Sequence, residues 1–401
     1  MDHRSVQLSR CLFLSMRPIF NGTPIASVDA LARSLSLSAQ QLRTLAGAVS
    51  GHYRDFDIPK RDGSFRTVSG PTEELKIIQR RINRHIFERV QYPSYLFGSI
   101  KERNYVQNAR SHSRAHVIVA MDVENFFPSI KREAVLNIFK NLFRFPQEVA
   151  SLLADLCTKD GHVPQGACTS SYIANLALHD IEHRLVSNLR HEGLIYSRLT
   201  DDISISSPHP LAKKRIESLV VQVAEMLKCK GFKPKRRKTK VTSKNNSAEL
   251  MEVTGLWLNL GEPRVKRDER ASIRTEVRRC IRESKVERTS PEFHKLHDRT
   301  SGRVAMLSQL KHREANRFRV ALRLCAPLYS PIEIKRTQKI VAAVCKTPLR
   351  SRETAVYIQR FYQARYRVNI VSRTDPKLAK ELHARLSSHV PKMKKEEAIY
   401  G

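Results

Sequence analysis

Leu194-Ile195-Tyr196-Ser197-Arg198-Leu199-Thr200-Asp201-Asp202-Ile203-Ser204-Ile205-Ser206 is the stretch that decides the reading of this chain. Leu194 to Leu199 is predicted as a strand and Thr200-Asp201-Asp202 as a turn. Ile203 to Ser206 alternates apolar and polar residues as a returning strand does. Two adjacent carboxylates at a hairpin tip repel each other. A divalent cation reverses that cost, because Mg²⁺ seeks carboxylate oxygens together with the phosphates of a substrate. A nucleotidyl-transfer centre is expected to look like this.

A further carboxylate sits in a matching setting. His116 to Met121 is an apolar run suited to a buried strand, and it ends on Asp122, followed by Val123-Glu124-Asn125-Phe126-Phe127-Pro128. If the two strands are neighbours, Asp122 converges with Asp201 and Asp202 on two metals about 3.5–4 Å apart. One metal would activate a primer hydroxyl, and both would stabilise charge at the phosphorus. The plainer alternative makes Asp122 a cap and the Asp201/Asp202 pair a polar turn. Both sites in one chain favour the metal reading.

Charge points the same way. The chain has 72 Lys and Arg against 39 Asp and Glu, a formal net charge of +33. So basic a surface implies a polyanionic partner, either nucleic acid or an acidic membrane. No apolar run approaches a bilayer span, and Cys11 to Met16 is too short for a signal core, so a soluble protein without membrane association is expected. The seven scattered cysteines fit a reducing cytosol and argue against a disulfide framework or a zinc site. A length of 401 residues suggests two or three subdomains.

Residues 26–46 carry apolar positions at helical spacing, broken at Ser36 to Ser38, and read as two short helices. A helical cap is preferred there over a helix-turn-helix reader. Phe56 to Lys60 and Phe65 to Val68 flank a hairpin turn at Asp62-Gly63. Leu75, Ile78, Ile82 and Ile86 mark one face of a long helix. Gly161 to Ser170 is a loop opening into a helix from Ser171 to Leu185. Its N-terminus suits anionic or template-backbone contacts, and equally a cap by Thr169 or Ser170. Lys233 to Lys240 is a cationic run read as a phosphate contact. Met251 to Leu260 reads as a strand, and the chain beyond it as helical and basic, with loops at Ser301-Gly302 and Pro327 to Pro331. Arg270, Arg274, Arg278 and Arg282 recur every four residues beside an apolar stripe of Ile273, Val277 and Ile281. His179-Asp180-Ile181-Glu182-His183 matches a zinc-peptidase pattern with both histidines on one helical face. It lacks a third ligand and is read as packing.

With these residues in hand, the chain resembles a retron-type bacterial reverse transcriptase, in order, from about Ala26 to beyond Leu310. Phe56 through Arg66 is similar to the fingers hairpin, and Leu75-Lys76 with Gln79-Arg80 to the helix after it. Asp122 through Ile130 resembles the first catalytic motif, Pro164-Gln165-Gly166 the template- and nucleotide-positioning loop, and Leu199-Thr200-Asp201-Asp202 the Tyr-x-Asp-Asp motif. Gly231-Phe232-Lys233 with Lys238-Thr239 resembles the motif that follows. Asn108-Ala109-Arg110-Ser111-His112 and Val253-Thr254-Gly255 resemble two signatures of the retron group.

The resemblance implies an α+β, right-hand polymerase fold with fingers, palm (an antiparallel sheet packed on helices) and a helical thumb. It divides the chain into an N-terminal helical segment (1–50), fingers with a retron-specific insertion (51–115), palm (116–260, with part of the fingers at about 130–165) and a basic helical thumb and C-terminal region (261–401). It implies that Asp122, Asp201 and Asp202 bind two Mg²⁺ ions, replaceable by Mn²⁺, with the Val123 carbonyl as an extra ligand. Lys60 and Arg66 would contact the triphosphate of a deoxynucleotide, and Phe127 would exclude a 2′-hydroxyl. Gln165 and Gly166 would line the nascent base pair, and Lys238 would donate a proton or contact phosphate. Asn108, His112, Val253, Thr254 and Gly255, with Arg270, Arg274 and Arg278 of the basic thumb, would recognise the RNA.

The implied activity is RNA-directed DNA synthesis on the protein's own noncoding RNA, primed from a 2′-hydroxyl, giving a branched RNA–DNA hybrid (msDNA). A separate effector protein in anti-phage defence, a host RNase H and a cytoplasmic location go with it. The alternatives are a reverse transcriptase of group II intron or diversity-generating type, and a catalytically silent RNA-binding protein on a polymerase scaffold. Leu199 departs from the usual tyrosine, so altered nucleotide handling or fidelity is expected. Cys168 and Ser171 stand where prolines are frequent, which puts the rigidity of that loop in doubt.

Overall fold

The computed structural model describes residues 16–60, 63–246, 249–352 and 354–392. Asp62 of the expected hairpin turn and Cys11 to Ser15 lie outside the described residues. The chain forms two compact units, one up to Pro263 and one from Arg264 onward.

The strands are β1 (Ile19–Phe20), β2 (Tyr53–Pro59), β3 (Phe65–Pro71), β4 (Val90–Gln91), β5 (Val117–Asp122), β6 (Ile195–Leu199), β7 (Asp202–Ser207), β8 (Lys240–Ser243), β9 (Glu252–Val253) and β10 (Leu256–Trp257). The central sheet of the first unit is antiparallel, in the order β6-β7-β5-β8. The Val117 to Met121 run forms its buried middle: Val117, Ile118, Val119 and Met121 are almost fully covered. β-Branched residues suit this position because they pack on a pleated surface with little loss of rotamer freedom. The strand reaches Asp122, one residue further than expected, which keeps that carboxylate in the ladder. Asp202 likewise belongs to β7, so the turn is reduced to Thr200-Asp201 between the Leu199–Asp202 pair.

Helices surround this sheet. Val28–Ser34 starts on a Ser27 cap, and Ala39–Gly47 on a reciprocal Ser38/Gln41 capping box. Glu73–His85 buries Leu75, Ile78 and Ile82, the apolar face predicted for it. The β2–β3 hairpin pairs Tyr53–Pro59 with Phe65–Pro71 and stands largely exposed.

Four expectations are corrected. The helix predicted from Ser171 to Leu185 is broken into Ser170–Leu176 and Glu182–His191, because the carbonyls of Ala174 and Asn175 turn to the Arg198 guanidinium. His179 and His183 therefore do not share one helix. Among the described residues no group of three His, Cys, Asp or Glu side chains could by itself hold a metal ion. The strand predicted over Met251 to Leu260 is the β9–β10 hairpin, turning at Thr254 (φ 48°) and Gly255 (φ 84°). That pair of left-handed residues is the signature of a two-residue hairpin turn.

The loop predicted at Ser301-Gly302 lies inside the helix Pro291–Gln309. Its buried face runs on through Leu296, Thr300, Val304 and Leu307, and this outweighs the roughly 1 kcal/mol that a helical glycine costs. Ile281 is 38% exposed and drops out of the stripe on Arg267–Glu283, where Cys280 is buried with Ile273 and Val277. The described part of the second unit is helical, and its loop before Pro331 falls where it was expected.

Candidate active site

The register of β5 against β7 sets Asp122 directly opposite Asp202. Asp201 is tied to the same strand end, since the Val123 N–H donates to the Asp201 carbonyl at 3.1 Å. The cationic run closes the other side. The Lys235 N–H donates to the Asp122 carbonyl at 2.7 Å, the Glu124 N–H donates to the Lys233 carbonyl at 2.8 Å, and Lys238 Nζ donates to Asp122 Oδ1 at 2.9 Å. Asp122 and Asp202 face a cleft of about 1050 Å³ whose walls carry Lys60, Arg66, Lys235, Lys238 and Lys240.

The three carboxylates crowd one another. Burial, with Asp201 and Asp122 beside it, pushes the Asp202 carboxyl up to about 6. Its surface is open to the cleft, while the surrounding walls thin out the water that would otherwise stabilise its charge. Burial and the Asp122 charge raise Asp201 too. The hydrogen bond to Asp122 holds the Lys238 ammonium above its ordinary value. Such a cluster lacks positive charge, and one lysine already leans into it. This fits Mg²⁺, which takes one or two carboxylates and completes its shell with waters and substrate phosphates rather than an all-protein cage.

The Gln165-Gly166 loop lies against β3: the Ser69 N–H donates to the Gln165 carbonyl at 2.8 Å. Gly166 has φ 116°, and a Cβ there would sit 2.5 Å from Val68 Cγ1 and 3.1 Å from the Ser69 carbonyl oxygen. Gly166→Ala is therefore expected to lose about 1–3 kcal/mol of stability and to raise the KM for deoxynucleotide; urea unfolding and steady-state kinetics check both. Cys168, at a position where prolines are frequent in the family it resembles, has a structural use. Its N–H donates to Gln79 Oε1 at 3.2 Å, a bond proline cannot make, and its carbonyl accepts from Asn83 Nδ2 at 2.8 Å. Phe127 lies half-buried in the short helix Phe126–Ser129.

The residues expected to contact RNA divide. Asn108, His112 and Val253 have essentially no exposed surface, which overturns direct RNA contact by their side chains. His112 instead bridges two strands, with Nδ1 2.7 Å from Ser206 Oγ and Nε2 2.7 Å from Ser197 Oγ. Thr254 and Gly255 do line the cleft, and Thr254 Oγ1 donates to the Tyr105 carbonyl at 3.1 Å. On the second unit, Arg274 pairs with Glu314 at 2.9 Å, Arg270 is half-buried and Arg278 is exposed.

Burial pushes the His112 imidazole down to about 4. The unfolded chain, with a histidine near its ordinary value of about 6.5, takes up a proton first as pH falls. The contribution of His112 is thus complete above about pH 6.5 and is lost as pH falls toward 4. Between about pH 7 and about pH 4.5, wild type should lose about 2.5 kcal/mol more stability than His112→Gln does. Urea titrations of both proteins at the two pH values measure this, and equal losses would refute it.

Sequence reasoning missed Arg198, Glu182, Asn175 and Gly98, which lie behind the Thr200-Asp201 turn. A signal existed: an arginine set in an otherwise covered strand, one residue from Leu199.

Residues 58–267 match the family described as Reverse transcriptase (RNA-dependent DNA polymerase). The retron Se72 reverse transcriptase of Salmonella heidelberg (strain 579083-10) is 36% identical over 376 residues, covering 94% of this chain and 99% of that protein. The retron Ec48 reverse transcriptase of Escherichia coli is 30% identical over 370 residues, covering 88% and 90%. Apo telomerase from Candida tropicalis aligns with 84% of this chain and 64% of its own at TM-score 0.42 and 11% identity, too distant a likeness to weigh. The chain belongs to the reverse transcriptases and, among them, to the retron reverse transcriptases. It is an RNA-directed DNA polymerase with the right-hand polymerase fold. Among the described residues, no helix is long and apolar enough to cross a membrane.

Proposed function

We propose that this reverse transcriptase copies part of a cognate structured noncoding RNA, priming from a 2′-hydroxyl of that RNA and leaving a branched RNA–DNA hybrid. The observation that carries the reading is the pairing of Asp122 with Asp202, beside Asp201, in a cleft walled by lysine and arginine. Asp122, Asp201, Asp202 and the Val123 carbonyl would hold two Mg²⁺ ions, with Mn²⁺ as a substitute. Bound there, the ions supply Lewis-acid stabilisation and lower the pKa of the primer hydroxyl.

The chain's own groups do the rest. Lys60 and Arg66 bind the triphosphate, and Gln165 and Gly166 support the nascent pair. Lys238 neutralises Asp122 in the resting protein and would give a proton to, or contact, the departing phosphate. Thr254 and Gly255 meet the RNA at the cleft wall, and Arg270, Arg274 and Arg278 grip its backbone from the thumb. Fingers, palm and thumb follow the division at about residues 51, 116 and 261. A separate effector protein, host RNase H, anti-phage defence and a bacterial cytoplasmic setting complete the proposal.

Phe127 sits five residues after Asp122 and packs against the sugar of the incoming nucleotide. Phe127→Ala is expected to narrow the preference for deoxynucleotides over ribonucleotides by about 10–200-fold, the worth of one well-placed steric contact. Paired kcat/KM measurements test it, and an unchanged ratio removes Phe127 from the sugar. The branch is tested by treating DNA made from the native locus with a 2′,5′-debranching enzyme. A mobility shift supports priming from the 2′-hydroxyl; unaltered DNA points to a reverse transcriptase of another type.

A further inference from the structure

Arg198 immediately precedes the Leu199-to-Asp202 turn, and its side chain is fully buried. All five N–H groups of its guanidinium are used. Nε and Nη2 donate to the two carboxylate oxygens of Glu182 at 2.5 and 2.8 Å. Nη2 also donates to the Asn175 carbonyl at 2.9 Å, and Nη1 to the carbonyls of Ala174 and Thr200, each at 3.0 Å. Glu182 is buried as well and accepts a hydrogen bond from the Tyr196 hydroxyl at 2.7 Å.

One planar group thus joins three pieces: the turn that carries Asp201, the end of the helix Ser170–Leu176 behind the Gln165-Gly166 loop, and the helix Glu182–His191. The turn needs holding. Thr200 has φ 60°, a left-handed conformation that a β-branched residue keeps only when its surroundings impose it. Gly98 presses from another side: a Cβ there would lie 2.5 Å from Thr200 Oγ1 and 2.8 Å from its nitrogen. The Gly98 carbonyl is itself held by Asn175 Nδ2 at 2.5 Å.

Stability does not account for the pair, since apolar side chains of similar volume are often as stable as a buried ion pair or more so. What an apolar pair cannot do is fix the direction of the Thr200 carbonyl through a rigid guanidinium fork. We propose that Arg198, oriented by Glu182, is a positioning residue for DNA synthesis, holding the Thr200-Asp201 turn so that Asp201 and Asp202 face Asp122. This inference rests on the reading of the three aspartates as the reaction centre.

The test is the double variant Arg198→Met/Glu182→Leu, which removes both charges and leaves none unpaired. It strands the carbonyls of Ala174, Asn175 and Thr200 and the Tyr196 hydroxyl, so its Tm should fall, but with no charge left unpaired it should still fold and bind RNA normally. Its kcat should fall by about 10²-fold, the effect of misplacing a reacting group by about 1 Å, and its half-saturating Mg²⁺ concentration should rise. Arg198→Lys keeps the charge without the fork, so it should recover the fold but not kcat. Wild-type kcat and Mg²⁺ dependence in the double variant would overturn the proposal. If the double variant does not fold, wild-type kcat in folded Arg198→Lys overturns it equally. Asp201→Asn serves as the control: if that variant is active, the reading of the centre has failed, and the proposal with it.

Discussion

Asp201→Asn is expected to lower DNA synthesis by about 10³-fold while leaving the fold and RNA binding intact. On the proposed reading Asp201 would help hold a catalytic metal, whose loss forfeits several kcal/mol of stabilisation, and each 1.36 kcal/mol is tenfold in rate. The substitution is nearly isosteric. It also relieves repulsion among Asp122, Asp201 and Asp202, whose crowding helps raise the carboxyls of Asp201 and Asp202. Tm in metal-free buffer should therefore hold or rise as activity collapses. A variant that lost both together would mark Asp201 as a structural residue.

The largest stability effect is expected from breaking the Arg198–Glu182 pair by halves. Arg198→Met leaves the Glu182 carboxylate buried without its guanidinium, at a cost of about 3–5 kcal/mol. For a unit of this size the loss corresponds to a fall in Tm on the order of 10 °C. Glu182→Leu should cost as much by stranding the guanidinium. The double variant strands buried carbonyls but no charge, so it should lose clearly less than the sum of the two, giving a large coupling energy in a double-mutant cycle. Thermal unfolding of the four proteins measures that coupling, and additive losses would show that the two groups act independently.

The elements carrying the three aspartates were legible because two local rules agreed there. In one case a short continuous apolar run ended on a carboxylate, and in the other an alternating strand returned from an acidic hairpin tip. Boundaries moved by one residue, since Asp122 and Asp202 pair across the ladder rather than sitting in turns. What escaped was decided by tertiary contacts. Glu182 was read within a histidine pattern on a continuous helix, but its carboxylate meets an arginine 16 residues away, and the helix breaks there. For Asn108 and His112 the resemblance of one signature implies RNA recognition, whereas the fold turns both inward. A histidine between two serines satisfies both ring nitrogens inside a core, and nothing local distinguishes it from a surface histidine. The Thr254-Gly255 turn was hidden because threonine rarely adopts a left-handed backbone and a strand reading suits it better.

The most direct test of the central claim is to examine the nucleic acid that copurifies with the protein expressed from its native flanking locus. Wild type and the Asp201→Asn/Asp202→Asn double variant would be purified, digested with RNase and run on a denaturing gel. A discrete short DNA joined to an RNA remnant at a 2′ position, present in wild type and absent from the variant, is the predicted result. RNA without DNA from both proteins would contradict it and leave an RNA-binding protein on a polymerase scaffold.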